Sequence, residues 1–144
     1  MSDYIRMSHN VTNLVYHIVC PTKYRRKVIS EKVDRTLKQI CLEIEERYDI
    51  YFLEIGADRD YVHFLVQTIP KYSVPQLIKI IKSITAKQVF AQCPEVKEEL
   101  WGGEFWTDGY FVATVGKSTS EEAIAEYVKN QGCESDYTQL YLML

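Results

Sequence analysis

The stretch Asp60-Tyr61-Val62-His63-Phe64-Leu65-Val66 constrains the fold more than any other, because it reads as a strand whose two faces carry different chemistry. In an extended chain successive side chains point to opposite sides. Val62, Phe64 and Val66 therefore form one apolar row, while Tyr61, His63, Leu65 and Gln67 form the other. The first row calls for a core, and the second aims an imidazole away from it. Immediately upstream, residues 50–56 (Ile-Tyr-Phe-Leu-Glu-Ile-Gly) form another β-rich run. Ala57-Asp58-Arg59-Asp60 makes a short turn between the two, so they are expected to pair as a hairpin.

The remaining elements follow from period and punctuation. Residues 12–20 are β-branched and aromatic, a first strand long enough to be central and ended by Pro21, with residues 1–10 polar and loosely held. A helix is predicted from Ser30, its N-cap, to Tyr48, with Val33, Leu37, Ile40, Ile44 and Tyr48 on one stripe. A second is predicted from Val74 to Gln92 with Pro75 in its first turn. It buries Leu77, Ile78, Ile81 and, at the margin, Ile84, and exposes Lys79, Lys82 and Lys87. Pro94 closes it, residues 95–109 read as an irregular connection holding both tryptophans, and residues 110–115 are a fourth strand. A last helix over residues 119–132 follows, with Ser118 and Glu121, or Thr119 and Glu122, as a capping box. The apolar tail, residues 137–144, is expected to dock on its own domain or on a partner. The order β-α-β-β-α-β predicts an α+β, ferredoxin-like sandwich. Two helices cover one face of a four-stranded antiparallel sheet, and an extra C-terminal helix is added.

At 144 residues and 47% hydrophobic content the chain suits one domain. Cys20, Cys41, Cys93 and Cys133 are widely spaced, without a C-x-x-C pair, which points away from a disulfide framework or a thiolate zinc site and towards a reducing cytoplasm. No apolar run approaches the roughly 20 residues that cross a bilayer, so no membrane partner is expected. The net charge of −3 hides a division. Residues 1–30 carry +4 through Arg6, Lys23, Arg25, Arg26 and Lys27 against Asp3, and residues 71–90 carry +4 through Lys71, Lys79, Lys82 and Lys87. Two basic segments on an acidic body suit a local phosphate-binding surface, and solvated helix faces are the plainer explanation. In Thr22-Lys23-Tyr24-Arg25-Arg26-Lys27 positive charge is interleaved with an aromatic ring, the mix that grips phosphates and stacks a base.

In the last helix Tyr127 and Gln131 lie one turn apart on a stripe with Ala123, Ile124 and Val128. They read either as an amphipathic packing face or as a nucleophile beside an amide that helps hold a divalent ion. A bound cation would stabilise the phenolate and polarise a phosphate under attack.

Four segments in order now resemble one family: Tyr16-His-Ile-Val19 with Pro21-Thr-Lys-Tyr-Arg-Arg26, Asp60-Tyr-Val-His-Phe-Leu-Val66, Phe105-Trp-Thr-Asp-Gly-Tyr-Phe-Val-Ala-Thr-Val-Gly116, and Tyr127-Val-Lys-Asn-Gln131. The chain resembles the single-tyrosine HUH transposases of small bacterial insertion sequences. The resemblance implies a nuclease and strand transferase that acts on single-stranded DNA at hairpin-flanked element ends, works as a homodimer and uses Mg²⁺ or Mn²⁺. It makes Tyr127 the nucleophile that forms a 5′-phosphotyrosine, and His63 and Gln131 metal ligands. Lys23, Tyr24, Arg25, Arg26, Lys79, Lys82 and Lys87 are the DNA-contact candidates, on charge rather than motif. Where the family has its first HUH histidine this sequence has Tyr61, a poorer donor to a divalent ion. Asp60 offers a carboxylate suited to Mg²⁺, although a regular strand points it to the opposite face. Three readings follow: an active transposase with an altered metal site, a degenerate copy that still binds DNA hairpins, or an unrelated ferredoxin-like binding module.

Overall fold

The computed structural model describes residues 4–6 and 11–115. The expected helix over 119–132, with Tyr127 and Gln131, and the tail 137–144 lie outside the described residues. The chain opens with two short antiparallel strands, β1 (Ile5–Arg6) and β2 (Val11–Thr12), with Ile5 opposite Thr12. Part of the N-terminal segment expected to be loosely held is therefore paired. After Asn13 comes β3 (Leu14–Pro21), then α1 (Glu31–Arg47), β4 (Ile50–Ala57), β5 (Tyr61–Thr68), α2 (Val74–Gln92), α3 (Pro94–Glu99) and β6 (Phe111–Thr114). The sheet order is β4-β5-β3-β6 with antiparallel neighbours throughout, which is the ferredoxin-like arrangement of the sequence expectation.

The helices begin where side chains satisfy their first backbone donors. Ser30 accepts from the Val33 amide at the start of α1. At α2, Ser73 and Gln76 form a reciprocal capping box. Val33, Leu37, Ile40 and Ile44 of α1, and Leu77, Ile78 and Ile81 of α2, pack on Ile18, Cys20, Val62, Phe64 and Val66 of the sheet. Each such side chain, fully buried, contributes about 1.5–3 kcal/mol.

Two expectations are corrected. Residues 95–109 are not irregular throughout: Pro94 opens the short helix α3, where proline at the first position loses no hydrogen bond. Lys82 is not a solvated lysine, because its ammonium donates to the carbonyls of Thr107, Asp108 and Gly109 at 2.8, 3.3 and 3.0 Å. Partial burial lowers its pKa.

A β-bulge between Phe52 and Glu54 decides what faces what. Phe52 lies opposite Val66 on the helix-covered face, yet beyond the bulge Ile55 lies opposite Phe64 and Gly56 opposite His63. The extra residue keeps both Phe52 and Ile55 packed against the core and transfers Gly56 to the other face.

Candidate functional site

The sheet face turned away from the two helices holds Tyr61, His63, Leu65 and Gln67 of β5 beside Val15, His17, Val19 and Pro21 of β3. It is polar in composition and still buried: His17 is 4% exposed, His63 8%, Tyr61 4% and Gln67 5%. Val19 pairs with His63 and His17 with Leu65, so the two imidazoles are diagonal neighbours on adjacent strands. Their ring centroids lie 5.9 Å apart at 67°. Burial lowers the pKa of both, and proximity to His63 lowers that of His17 further, to about 4. Both rings are therefore neutral at pH 7, the form that binds a metal ion.

Gly56 gives His63 its seat. A Cβ at this position would overlap Nε2 and Cε1 of the His63 ring, so the cross-strand partner of the histidine has to be glycine. The bulge in β4 and the glycine together let the imidazole lie down against the sheet.

The turn after β3 is fastened to the start of β5. Thr22 donates from its backbone and its hydroxyl to the Asp60 carbonyl, at 2.9 and 3.0 Å. Arg25 reaches the Asp60 carboxylate with Nε and Nη2 at 3.0 and 2.7 Å. Asp60, considered as a substitute ligand, thus has a guanidinium on its carboxylate. Lys23 pairs with Glu104 at 2.7 Å, whereas Arg26, Lys27, Lys79 and Lys87 are exposed. The basic candidates therefore divide. Lys23, Arg25 and Lys82 are engaged with protein groups, and the other four cations face solvent. Lys79 and Lys82 line a groove of about 380 Å³ against residues 103–108.

Among the described residues no group of three or more His, Cys, Asp and Glu side chains is arranged to hold a metal ion. The donors that fit one are His63 and, beside it, His17.

The family model for IS200-like transposases matches residues 10–131. The chain belongs to the IS200-like transposase family. Among its relatives, the ISDra2 transposase TnpA of Deinococcus radiodurans is 31% identical over 121 residues, covering 84% of this chain and 86% of its own length. The transposase for insertion sequence element IS200 of Salmonella typhimurium is 32% identical over 131 residues, covering 91% and 85%. A crystallised Deinococcus radiodurans chain assigned as a transposase superposes with a TM-score of 0.71 at 31% identity, over 88% of this chain and 97% of that one. A REP-associated tyrosine transposase bound to a REP hairpin superposes with a TM-score of 0.57 at 9% identity, over 93% and 77%, which bears on the fold alone. Membership in the IS200-like family carries DNA transposition, a chemistry of DNA cleavage and strand transfer. Sequence reasoning did not single out His17. Its parity within the first strand was legible, but its position beside His63 depends on the register between β3 and β5.

Proposed function

We propose that this IS200-like transposase cleaves and rejoins single-stranded DNA at hairpin-flanked element ends through Tyr127, as a homodimer. The observation that carries the proposal is the buried His17–His63 pair over Gly56, a polar face held at the centre of the sheet in a family of DNA strand transferases. Buried polar groups cost stability, and a fold retains them where they do chemistry.

In this reading the Tyr127 oxygen attacks the scissile phosphorus. A 5′-phosphotyrosine forms, the P–O3′ bond breaks, and the departing oxygen takes up a proton to become a 3′-hydroxyl. In the reverse sense a 3′-hydroxyl attacks the phosphotyrosine, the strand is rejoined and the tyrosine is released. A divalent ion, Mg²⁺ or Mn²⁺, supplies charge stabilisation of the phosphate oxygens and of the phenolate when bound. His63 and Gln131 would hold it. His17 brings a second imidazole to the face where Tyr61 offers only a phenol. A neutral imidazole, unlike a protonated one, can donate a lone pair to an ion, and burial of the face keeps competing water out.

The test is nicking of an end-labelled single-stranded hairpin from the flanks of the chain's own gene, with Mn²⁺ present. Cleavage by the native chain and its loss in Tyr127→Phe are expected, and retained cleavage in that variant would remove Tyr127 from the role. A second reading, a hairpin-binding chain that no longer cleaves, is favoured by one observation: Tyr61 is buried where the family resemblance places a histidine. Hairpin binding without metal-dependent cleavage would select it.

A further inference from the structure

We propose that Tyr24 and Trp101 form a platform on which an unpaired base of single-stranded DNA stacks. The proposal rests on the DNA reading above and adds to it a residue, Trp101, that neither charge nor motif singled out.

The two rings come from segments 77 residues apart in sequence and meet because the backbone brings them together. Lys23 donates its amide to the Phe105 carbonyl at 2.8 Å, Thr107 donates to Pro21 at 3.1 Å, and Thr22 bridges to Trp106. Phe105 and Trp106 anchor this loop in the core, and the Trp106 indole donates to Thr85 at 2.9 Å. On the outer side of the same loop Trp101 is turned to solvent. Its ring stacks on Tyr24 with centroids 6.1 Å apart at 23°, and the two residues remain 75% and 62% exposed.

Packing alone does not explain an exposed stack of this kind. Two large aromatic side chains left in water forgo the burial that would stabilise the domain. Tyr24 and Arg25 also both adopt left-handed backbone angles, φ +57° and +54°. That conformation is strained for non-glycine residues and is retained where the surroundings enforce it. Here Thr22 enforces it by bonding to the Arg26 and Asp60 carbonyls.

The electrostatic setting selects the occupant. Lys23, Arg25, Arg26 and Lys27 surround Tyr24 in sequence, with the Lys23 ammonium 5.4 Å from its ring centroid. Asp60 and Glu104 answer Arg25 and Lys23, while Arg26 and Lys27, two and three residues beyond Tyr24, are exposed. Flat aromatic area next to surplus positive charge suits a base with its phosphate, because every base has a π-face and every linkage an anion.

The experiment uses the full chain and an oligothymidylate of about 12 nucleotides, within the site sizes that single-strand binders cover. Trp101 and the buried Trp106 are the two tryptophans, so the fluorescence difference between the native chain and Trp101→Phe isolates Trp101. Stacking predicts quenching of that component on titration, and none with an abasic oligomer that keeps the phosphates. Trp101→Ala and Tyr24→Ala each weaken binding about 5- to 150-fold with an unchanged salt slope, and Trp101→Phe retains most of it. Trp101 is exposed, so its variants keep the native circular dichroism spectrum. Absence of oligothymidylate binding by the native chain overturns the platform, and absence of binding to a labelled single-stranded hairpin from its own flanks overturns the DNA reading as well. Native-like binding by both alanine variants, or quenching on concentrating the protein without DNA, overturns the platform and leaves the DNA reading standing.

Discussion

The two faces of the sheet differ in what they bury. One presents Ile18, Cys20, Val62, Phe64 and Val66 to the helices, and the other buries His17, Tyr61, His63 and Gln67 almost as completely. The first face is explained by burial of apolar area. The second buries polar groups, whose burial costs stability unless they find partners, as Gln67 does by donating to Asn13 at 3.2 Å. The same strands serve both purposes because a strand alternates, and the bulge in β4 sets which purpose each residue serves.

The largest expected effect tests the apolar face. Phe64→Ala is expected to lower unfolding free energy by about 3–5 kcal/mol, read from chemical denaturation, because Phe64 is fully buried and touches Phe52 and Trp106. A loss below about 1 kcal/mol would mean that this face is not the main core.

The next effect belongs to the histidine face and appears as a pH dependence. His17 titrates near 4 in the folded chain, against 6.5 for an unperturbed histidine. Above pH 6.5 the ring is neutral in both states and its contribution to stability is fully present. As pH falls from 6.5 towards 4 the unfolded chain takes up a proton that the folded chain refuses, and up to about 3 kcal/mol is lost. His63, also lowered by burial, acts in the same direction. Denaturation midpoints measured from pH 7 to pH 4 should decline, and should decline less in His17→Leu. An unchanged slope in that variant would mean that His17 takes up its proton equally in the folded and the unfolded chain.

Gly56→Ala sharpens the contrast between the faces. The added methyl meets the His63 ring, so overpacking is expected to cost about 1–3 kcal/mol, and calorimetric titration with Mn²⁺ should show weakened binding because the imidazole has moved. Unchanged stability and metal binding would show that His63 has other positions open to it.

The smallest effect lies outside both faces. Lys82→Met removes the three carbonyl contacts to residues 107–109 and should cost on the order of 1 kcal/mol in thermal unfolding, with the pH dependence intact. A changed pH profile would tie this loop to the histidines.

Elements governed by local rules could be read from the sequence. Ser30 caps α1, Val74–Gln92 has the helix bounds expected, and the alternation in β5 sorts Val62, Phe64 and Val66 into the core. What could not be read depends on register and on pairs distant in sequence. Nothing local to His17 indicates that it lies beside His63, and nothing local to Trp101 indicates Tyr24. Lys82 looked solvated because a lysine on a polar helix face usually is. The carbonyls that hold it belong to residues some 25 positions away. α3 was hidden because Pro94 both ends one helix and starts another. The roles resting on resemblance, Tyr127 and Gln131 above all, remain with the reading proposed for them.

The most direct measurement asks whether the histidine face serves the transposase reaction. The chain is incubated with labelled single-stranded hairpin DNA from its own flanks, with and without Mn²⁺, and a covalent protein–DNA adduct is sought on a denaturing gel. The expected result is an adduct that requires Mn²⁺ and is lost in both Tyr127→Phe and His63→Ala. An adduct that persists in His63→Ala, or hairpin binding without any adduct, would contradict the account.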